Sequence, residues 1–326
     1  MSKQFRIKRT YSSIAVVAGQ FATIDLPRGY DYESLYLRIA GTVNVTTAFT
    51  SVRQEAPCQV VSRVEVIADG RNTLVSAPFW FTAFGSYDRA GALAQGARVT
   101  TPPTAASIAS YNVEAIGSID FANIDGERTK DSNLRTDGFQ LFQLRLTFGQ
   151  PADMFVGAGV ATYTNMVVEI TTTETVELPD AQGARTSPVA LKKISFQEIA
   201  VPTTNANQEI RLPAGNMIKS VVVRTEGNVT AGEPTTGVLN NLQVFSGVDV
   251  RHNVKAASIR ALNNADYGLV PTGYYIVDLA RNGGTTSKLS ELWDVTNQAE
   301  PKVSMDITGG ATVKAQVVTT EFLAIR

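Results

Sequence analysis

The sequence predicts an all-β protein built as two tandem halves of like design, and three observations carry that prediction. Residues 22–41, ATIDLPRGYDYESLYLRIAG, return at 208–227 as QEIRLPAGNMIKSVVVRTEG. Apolar residues in both segments recur at every second position, the period of a half-buried strand. Val, Thr, Ile and Ala abound while long runs of helical period are few, the balance expected of strands with a few helices.

The repeat has a constant offset of 186 residues and no gap. Between Ile24 and Gly41, seven of eighteen positions match their partners: Ile24/Ile210, Leu26/Leu212, Pro27/Pro213, Gly29/Gly215, Ser34/Ser220, Arg38/Arg224 and Gly41/Gly227. Ordinary residue usage predicts roughly one such identity. The phase agrees as well, since Leu35, Leu37 and Ile39 alternate as Val221 and Val223 do. Each copy therefore reads as strand, turn, strand. The turn positions are Pro27 and Gly29 in one copy and Pro213 and Gly215 in the other, because Pro presets φ and Gly supplies conformations closed to other residues.

The parallel continues. SRVEVIADGRNTLV (62–75) corresponds to NNLQVFSGVDVRHNV (240–254), each a strand, a turn and a short strand. A helix follows in each half: 76–94, with Ser76 as cap and Pro78 in the first turn, and 255–268, with Ile259 and Leu262 three apart. Within the first, the stretch PFWF (78–81) with Phe84 is a packing signature, and its sharper alternative is a sugar-stacking platform on Trp80. Strands then resume at 139–148 and 165–178 in the first half, and at 274–280, 302–307 and 312–325 in the second.

A chain of 326 residues is large for one core, whereas two cores of about 160 residues fit ordinary domain sizes. The polar, Gly- and Pro-bearing stretch PDAQGARTSP (179–188) separates them. The expected organisation is a basic arm over 1–10, a first domain over 11–180 with an insertion at 95–138, and a second domain over 181–326. Part of that insertion is expected to pack, through Ile116, Ile119, Phe121 and Ile124. About eight strands per half, with one helix in the middle, fit an eight-stranded jelly-roll barrel. The fold class is thus two tandem jelly rolls, a double jelly roll.

Composition and motif narrow the function. Net charge is −1 and the pI near 6.0, which argues against a protein that coats nucleic acid. The local exception is Lys3, Arg6, Lys8 and Arg9, a basic arm suited to anionic lipid or to a neighbouring subunit. The one cysteine, Cys58, precludes an intramolecular disulfide and reads as structural. No apolar run approaches the ~20 residues of a membrane helix, and no export signal follows the basic start. The triplets starting at Asn44 and Asn228 match the glycan-acceptor pattern and read as strand ends.

Histidine- and nucleotide-based chemistry lacks its motifs, while paired carboxylates for glycoside hydrolysis stay open, since their separation is not written in the sequence. His252 is the single histidine, which removes two-histidine metal motifs, and no G-x-S-x-G elbow accompanies it. No dinucleotide or phosphate loop is complete, so no cofactor is expected. The acidic segment 121–138 holds Asp125, Glu127, Asp131 and Asp137, compatible with calcium but without the EF-hand order. It reads as a solvated loop.

The stretch VVAGQFATIDLPRGYDYESLYLRIAG (16–41), then VSRVEVIADGRNTLVS (61–76) and the helix after it, resembles the double jelly-roll major capsid proteins of tailless icosahedral bacteriophages with an internal membrane, of corticovirus or finnlakevirus type. The likeness lies in the A-G, I-x-L-P-x-G and L-R-x-x-G succession and in a strand ending in D-G-R, and it covers the first hundred residues. It implies a homotrimer of pseudo-hexagonal outline that tiles a shell, contacts with vertex and minor capsid proteins, and strands standing upright on the shell. It also implies that the arm with Lys3, Arg6, Lys8 and Arg9 faces the membrane, that the protein is made in the host cytoplasm and resides in the virion, and that it is not an enzyme. Two other readings compete: a carbohydrate- or receptor-binding β-sandwich, and a hydrolase of the same architecture.

Overall fold

The computed structural model describes residues 4–84, 101–121, 133–177, 190–227, 232–268, 270–279, 291–298 and 300–324. The described residues up to Glu177 form one compact unit and those from Ala190 onward form the second.

The first unit contains, in chain order, β1 (Gln4–Ala15), β2 (Phe21–Asp25), β3 (Asp31–Thr47), β4 (Ser51–Val52), β5 (Val61–Ala68), β6 (Asn72–Ala77), α1 (Phe79–Phe84), β7 (Ala109–Asp120), β8 (Leu134–Arg135), β9 (Phe142–Phe148), β10 (Phe155–Val156) and β11 (Val160–Glu177). One sheet has the order β1-β11-β3-β7, and a second runs β2-β9-β5-β6. All of these pairings are antiparallel. Alternation decides which residues enter the core. Leu35, Leu37 and Ile39 on β3, Val168 and Ile170 on β11, Val64 and Val66 on β5, and Leu144 and Leu146 on β9 are all buried.

The second unit contains β12 (Ala190–Ala200), β13 (Asn205–Arg211), β14 (Met217–Glu226), β15 (Leu239–Ser246), β16 (Asp249–Lys255), α2 (Ala256–Tyr267), β17 (Tyr274–Asp278), β18 (Trp293–Asp294), β19 (Pro301–Ile307) and β20 (Lys314–Ala324). Its sheets run β12-β20-β14-β17 and β13-β19-β15-β16. Taken strand for strand, both orders repeat those of the first unit. Even the minor strands correspond, because β8 pairs the start of β3 as β18 pairs the start of β14. This is the eight-stranded, two-sheet order of a jelly roll.

The duplication extends to single hydrogen bonds. Leu26 N–H donates to the Phe142 carbonyl at 2.7 Å, and Leu212 N–H to the Pro301 carbonyl at 2.8 Å. Thr136 N–H donates to Tyr30 at 3.3 Å and Val295 N–H to Asn216 at 3.0 Å. Ser34 lies between Asp120 and Thr173 across three strands, as Ser220 lies between Asp278 and Thr320. Two halves of independent origin would not share such register.

Each helix is fixed to the strand that follows it. In the first unit, Gly117 of β7 leaves the space that Phe79 and Thr82 of α1 fill, since a Cβ there would lie 2.4 Å from the Thr82 hydroxyl. In the second, the Asn263 side chain donates to the Ile276 carbonyl at 2.9 Å and accepts from the Ile276 N–H at 2.7 Å.

Three readings of the sequence are corrected. Ser76 does not cap a helix: it lies in β6, and its hydroxyl accepts from Arg63, so α1 starts only at Phe79. The basic segment expected as an arm over 1–10 is, from Gln4 onward, a strand of the first unit, eleven of whose residues pair with β11. The segment 95–138 supplies a barrel strand, β7, whose Tyr111, Val113, Ala115 and Ile119 alternate inward. Its residues 95–100 and 122–132, with Ile124, Asp125, Glu127 and Asp131, lie outside the described residues, as does the whole 179–188 stretch.

Candidate functional site

The residues singled out in the sequence fall in four places. Gly29 and Gly215 hold φ of +89° and +86°, the left-handed region that favours glycine. Nothing lies within 4 Å of the Cβ that either would gain, so conformation rather than space requires glycine there. Pro27 and Pro213 precede these turns, and the Tyr32 hydroxyl donates to the Pro27 carbonyl at 2.7 Å. Gly29 N–H donates to the Thr136 hydroxyl, while Gly215 N–H donates to the Val295 carbonyl. Each turn thereby anchors the stretch that leads into the next-to-last long strand of its unit.

The basic residues of β1 lie along one strand, and two of them are already paired. Arg6 meets Glu33 at 2.7 Å, and Arg9 meets the fully buried carboxylate of Glu174 at 3.0 Å. The Lys8 ammonium sits 4.8 Å from the centre of the Tyr36 ring. Lys3 lies outside the described residues.

The candidates for chemistry are dispersed. His252 sits on β16 opposite Val244, its Nε2 without a hydrogen-bond partner, and burial lowers its pKa. Cys58 is buried in a short turn of helix over Ala56–Val60. Among the described residues no group of three or more His, Cys, Asp or Glu side chains is placed to hold a metal ion. Asp137 pairs with Arg135 at 2.7 Å, and Asn44 accepts from the Ser110 hydroxyl at 3.1 Å. Both tryptophans are buried, Trp80 edge-on against Phe81, so neither offers the exposed face that a sugar platform needs.

Two features escaped the sequence reading. Asp69 and Asp249, at the tips of the β5–β6 and β15–β16 hairpins, each hold a distant segment. Asp69 accepts from the N–H groups of Gln140 and Leu141 at 2.7 and 3.3 Å. Asp249 accepts from Trp293 Nε1 and Gln298 Nε2, both at 3.1 Å. Burial raises the Asp249 carboxyl, but hydrogen bonds from Gln298, Trp293 and Arg251 outweigh it and hold the pKa below the usual range. The Asp-Gly pair signalled the first turn, whereas nothing local marks what these carboxylates reach. The second feature is a groove of about 730 Å³ in the second unit, lined by Lys255, Arg260, Asn240, Asp306 and Tyr275 among others. It carries both signs of charge.

Comparison with solved structures identifies the architecture. The major capsid protein of Sulfolobus turreted icosahedral virus superposes with a TM-score of 0.76 at 18% identity, over 98% of this chain and 97% of that one. This chain is a double jelly roll. The same architecture in the major capsid protein of bacteriophage PM2 overlays with a TM-score of 0.62 at 17% identity, covering 99% and 98% of the two chains. A capsid protein structure from PBCV-1 gives 0.61 at 12% identity, covering 99% and 94%. No model of a known protein family and no curated protein matches the sequence.

Proposed function

We propose that this chain is a major capsid protein, a structural subunit whose trimers tile an icosahedral viral shell over an internal membrane, and that it is not an enzyme. The observation that carries the reading is the strand-for-strand duplication of one jelly roll, matched end to end by capsid proteins of three viruses. Three copies of a two-barrel chain give six similar barrels around a threefold axis, so a trimer can meet neighbours on a hexagonal lattice with few kinds of contact. Near-neutral net charge suits that packing, since strongly charged subunits in contact would repel one another.

In this reading the protein resides in the virion after synthesis in the host cytoplasm, and its partners are other copies, vertex and minor capsid proteins, and the membrane. Lys3 and Lys8 are the basic residues assigned to anionic headgroups, because Arg6 and Arg9 already hold carboxylates. Negative-stain electron microscopy of the purified protein tests the proposal. Particles of threefold symmetry and hexagonal outline are expected. A field of single two-lobed particles at micromolar concentration would contradict it.

A further inference from the structure

We propose that β1 is an exchangeable strand: in the assembled protein, residues 4–15 of one copy pair with β11 of a neighbouring copy, in the slot that they fill within their own chain here. The inference rests on the self-assembly proposed above.

The first argument is how little of β1 is buried. Among the described residues it is the edge of its sheet, with β11 as its one backbone partner, while the side chains of Arg6, Lys8 and Tyr11 reach Glu33, Tyr36 and the Asp25 carbonyl. None of residues 5–15 is buried, and Phe5 at its start is 53% exposed.

The second argument is that the slot cannot stay empty. Glu174 on β11 is fully buried, and Arg9 spans both of its oxygens, at 3.0 and 3.4 Å. Removing β1 takes the cation from that carboxylate and opens the edge of β11, both unfavourable. A strand that leaves must be replaced by one bringing a cation at the same register. Residues 4–15 of another copy meet that demand, with Arg6 arriving opposite Glu33 as well.

The third argument is the connection. Val16–Gln20 is a five-residue link folded back on itself, with the Gln20 N–H donating to the Val17 carbonyl at 3.1 Å and Gly19 at φ +69°. Short reversing links between an edge strand and its domain are where strand exchange arises at low cost, because straightening the link carries the strand outward. Extended, five residues span about 17 Å, so donor and acceptor copies must abut.

Thr10 and Thr171 report on the exchange, since their hydroxyls face each other 3.3 Å apart across β1 and β11. Chains carrying T10C and chains carrying T171C, with different tags, are co-assembled and oxidised; the native Cys58 is buried. The expected product is a disulfide-linked pair bearing both tags, twice the chain mass on a non-reducing gel. Trimers without that product, when the T10C/T171C double variant closes a disulfide within itself, overturn exchange but leave the capsid reading standing. A parent chain that is monomeric overturns both. A charge swap gives an independent reading: R9E and E174R chains each lose assembly alone, and an equimolar mixture regains it only if strands cross between copies. If only the R9E/E174R double variant recovers, the pair acts within one chain and exchange is wrong.

Discussion

Arg38 and Arg224 occupy the same position in the two barrels and live in opposite surroundings. Arg38 is 43% exposed and pairs with Glu114 and Glu169 at 2.6 and 2.8 Å. Arg224, 2% exposed, pairs with the nearly buried Glu226 and donates to Gln316 and the Gly232 carbonyl. Gln316 stands where Glu169 stands in the first unit, opposite its arginine. Arg38→Ala should therefore cost below about 1 kcal/mol, as exposed pairs do. Arg224→Ala should cost about 3 to 5 kcal/mol, because it strands Glu226. Urea denaturation of the two variants checks the ordering, and equal losses would contradict it.

The paired turns make a second test. Gly29→Val and Gly215→Val each force a β-branched residue into the left-handed region, a strain of about 1 to 3 kcal/mol. Nothing lies within 4 Å of the Cβ that is added, so the loss comes from the backbone conformation. Scanning calorimetry should show a lower Tm for each variant. Parent-like melting of both would mean that the turns do not need glycine.

His252 predicts an acid response. Burial holds its pKa below the ordinary value, so the unfolded chain takes up a proton first as pH falls. Its contribution is intact above pH ~6.5 and is lost progressively below it. His252→Gln should flatten the fall in urea midpoint between pH 7 and 5. A slope unchanged by the substitution would show that His252 does not set it.

Asp249 also loses its contribution in acid, because its hydrogen bonds together outweigh the burial that alone would raise its pKa. Asp249→Ala leaves the buried Trp293 indole N–H without its acceptor, at a cost of about 1 to 3 kcal/mol. The parent carboxylate stabilises the fold above the usual Asp pKa, and that contribution is lost as pH falls through its lowered folded-state value. Trp fluorescence during urea unfolding at pH 7 and at pH 3 should show the variant's deficit shrinking in acid.

The fold was legible in the sequence because alternation and a repeat are local signals. Leu35, Leu37 and Ile39 announce their buried face, and the Pro27/Gly29 and Pro213/Gly215 turns announce the duplication. β1 was misread because four cations in nine residues outweighed the weaker alternation of Phe5 and Ile7. Its pairing depends on Glu174, 165 residues away, which no window of sequence can display. β7 was hidden inside an apparent insertion because a Pro- and Ser-rich stretch leads into it. The carboxylates of Asp69 and Asp249 were invisible for the same reason as Glu174: their partners are brought by topology.

The most direct test of the central claim is the solution mass of the purified chain by light scattering over a concentration series. A stable species near three times 35.0 kDa is the predicted result. A species that stays at 35.0 kDa at micromolar concentration would contradict a shell-building role.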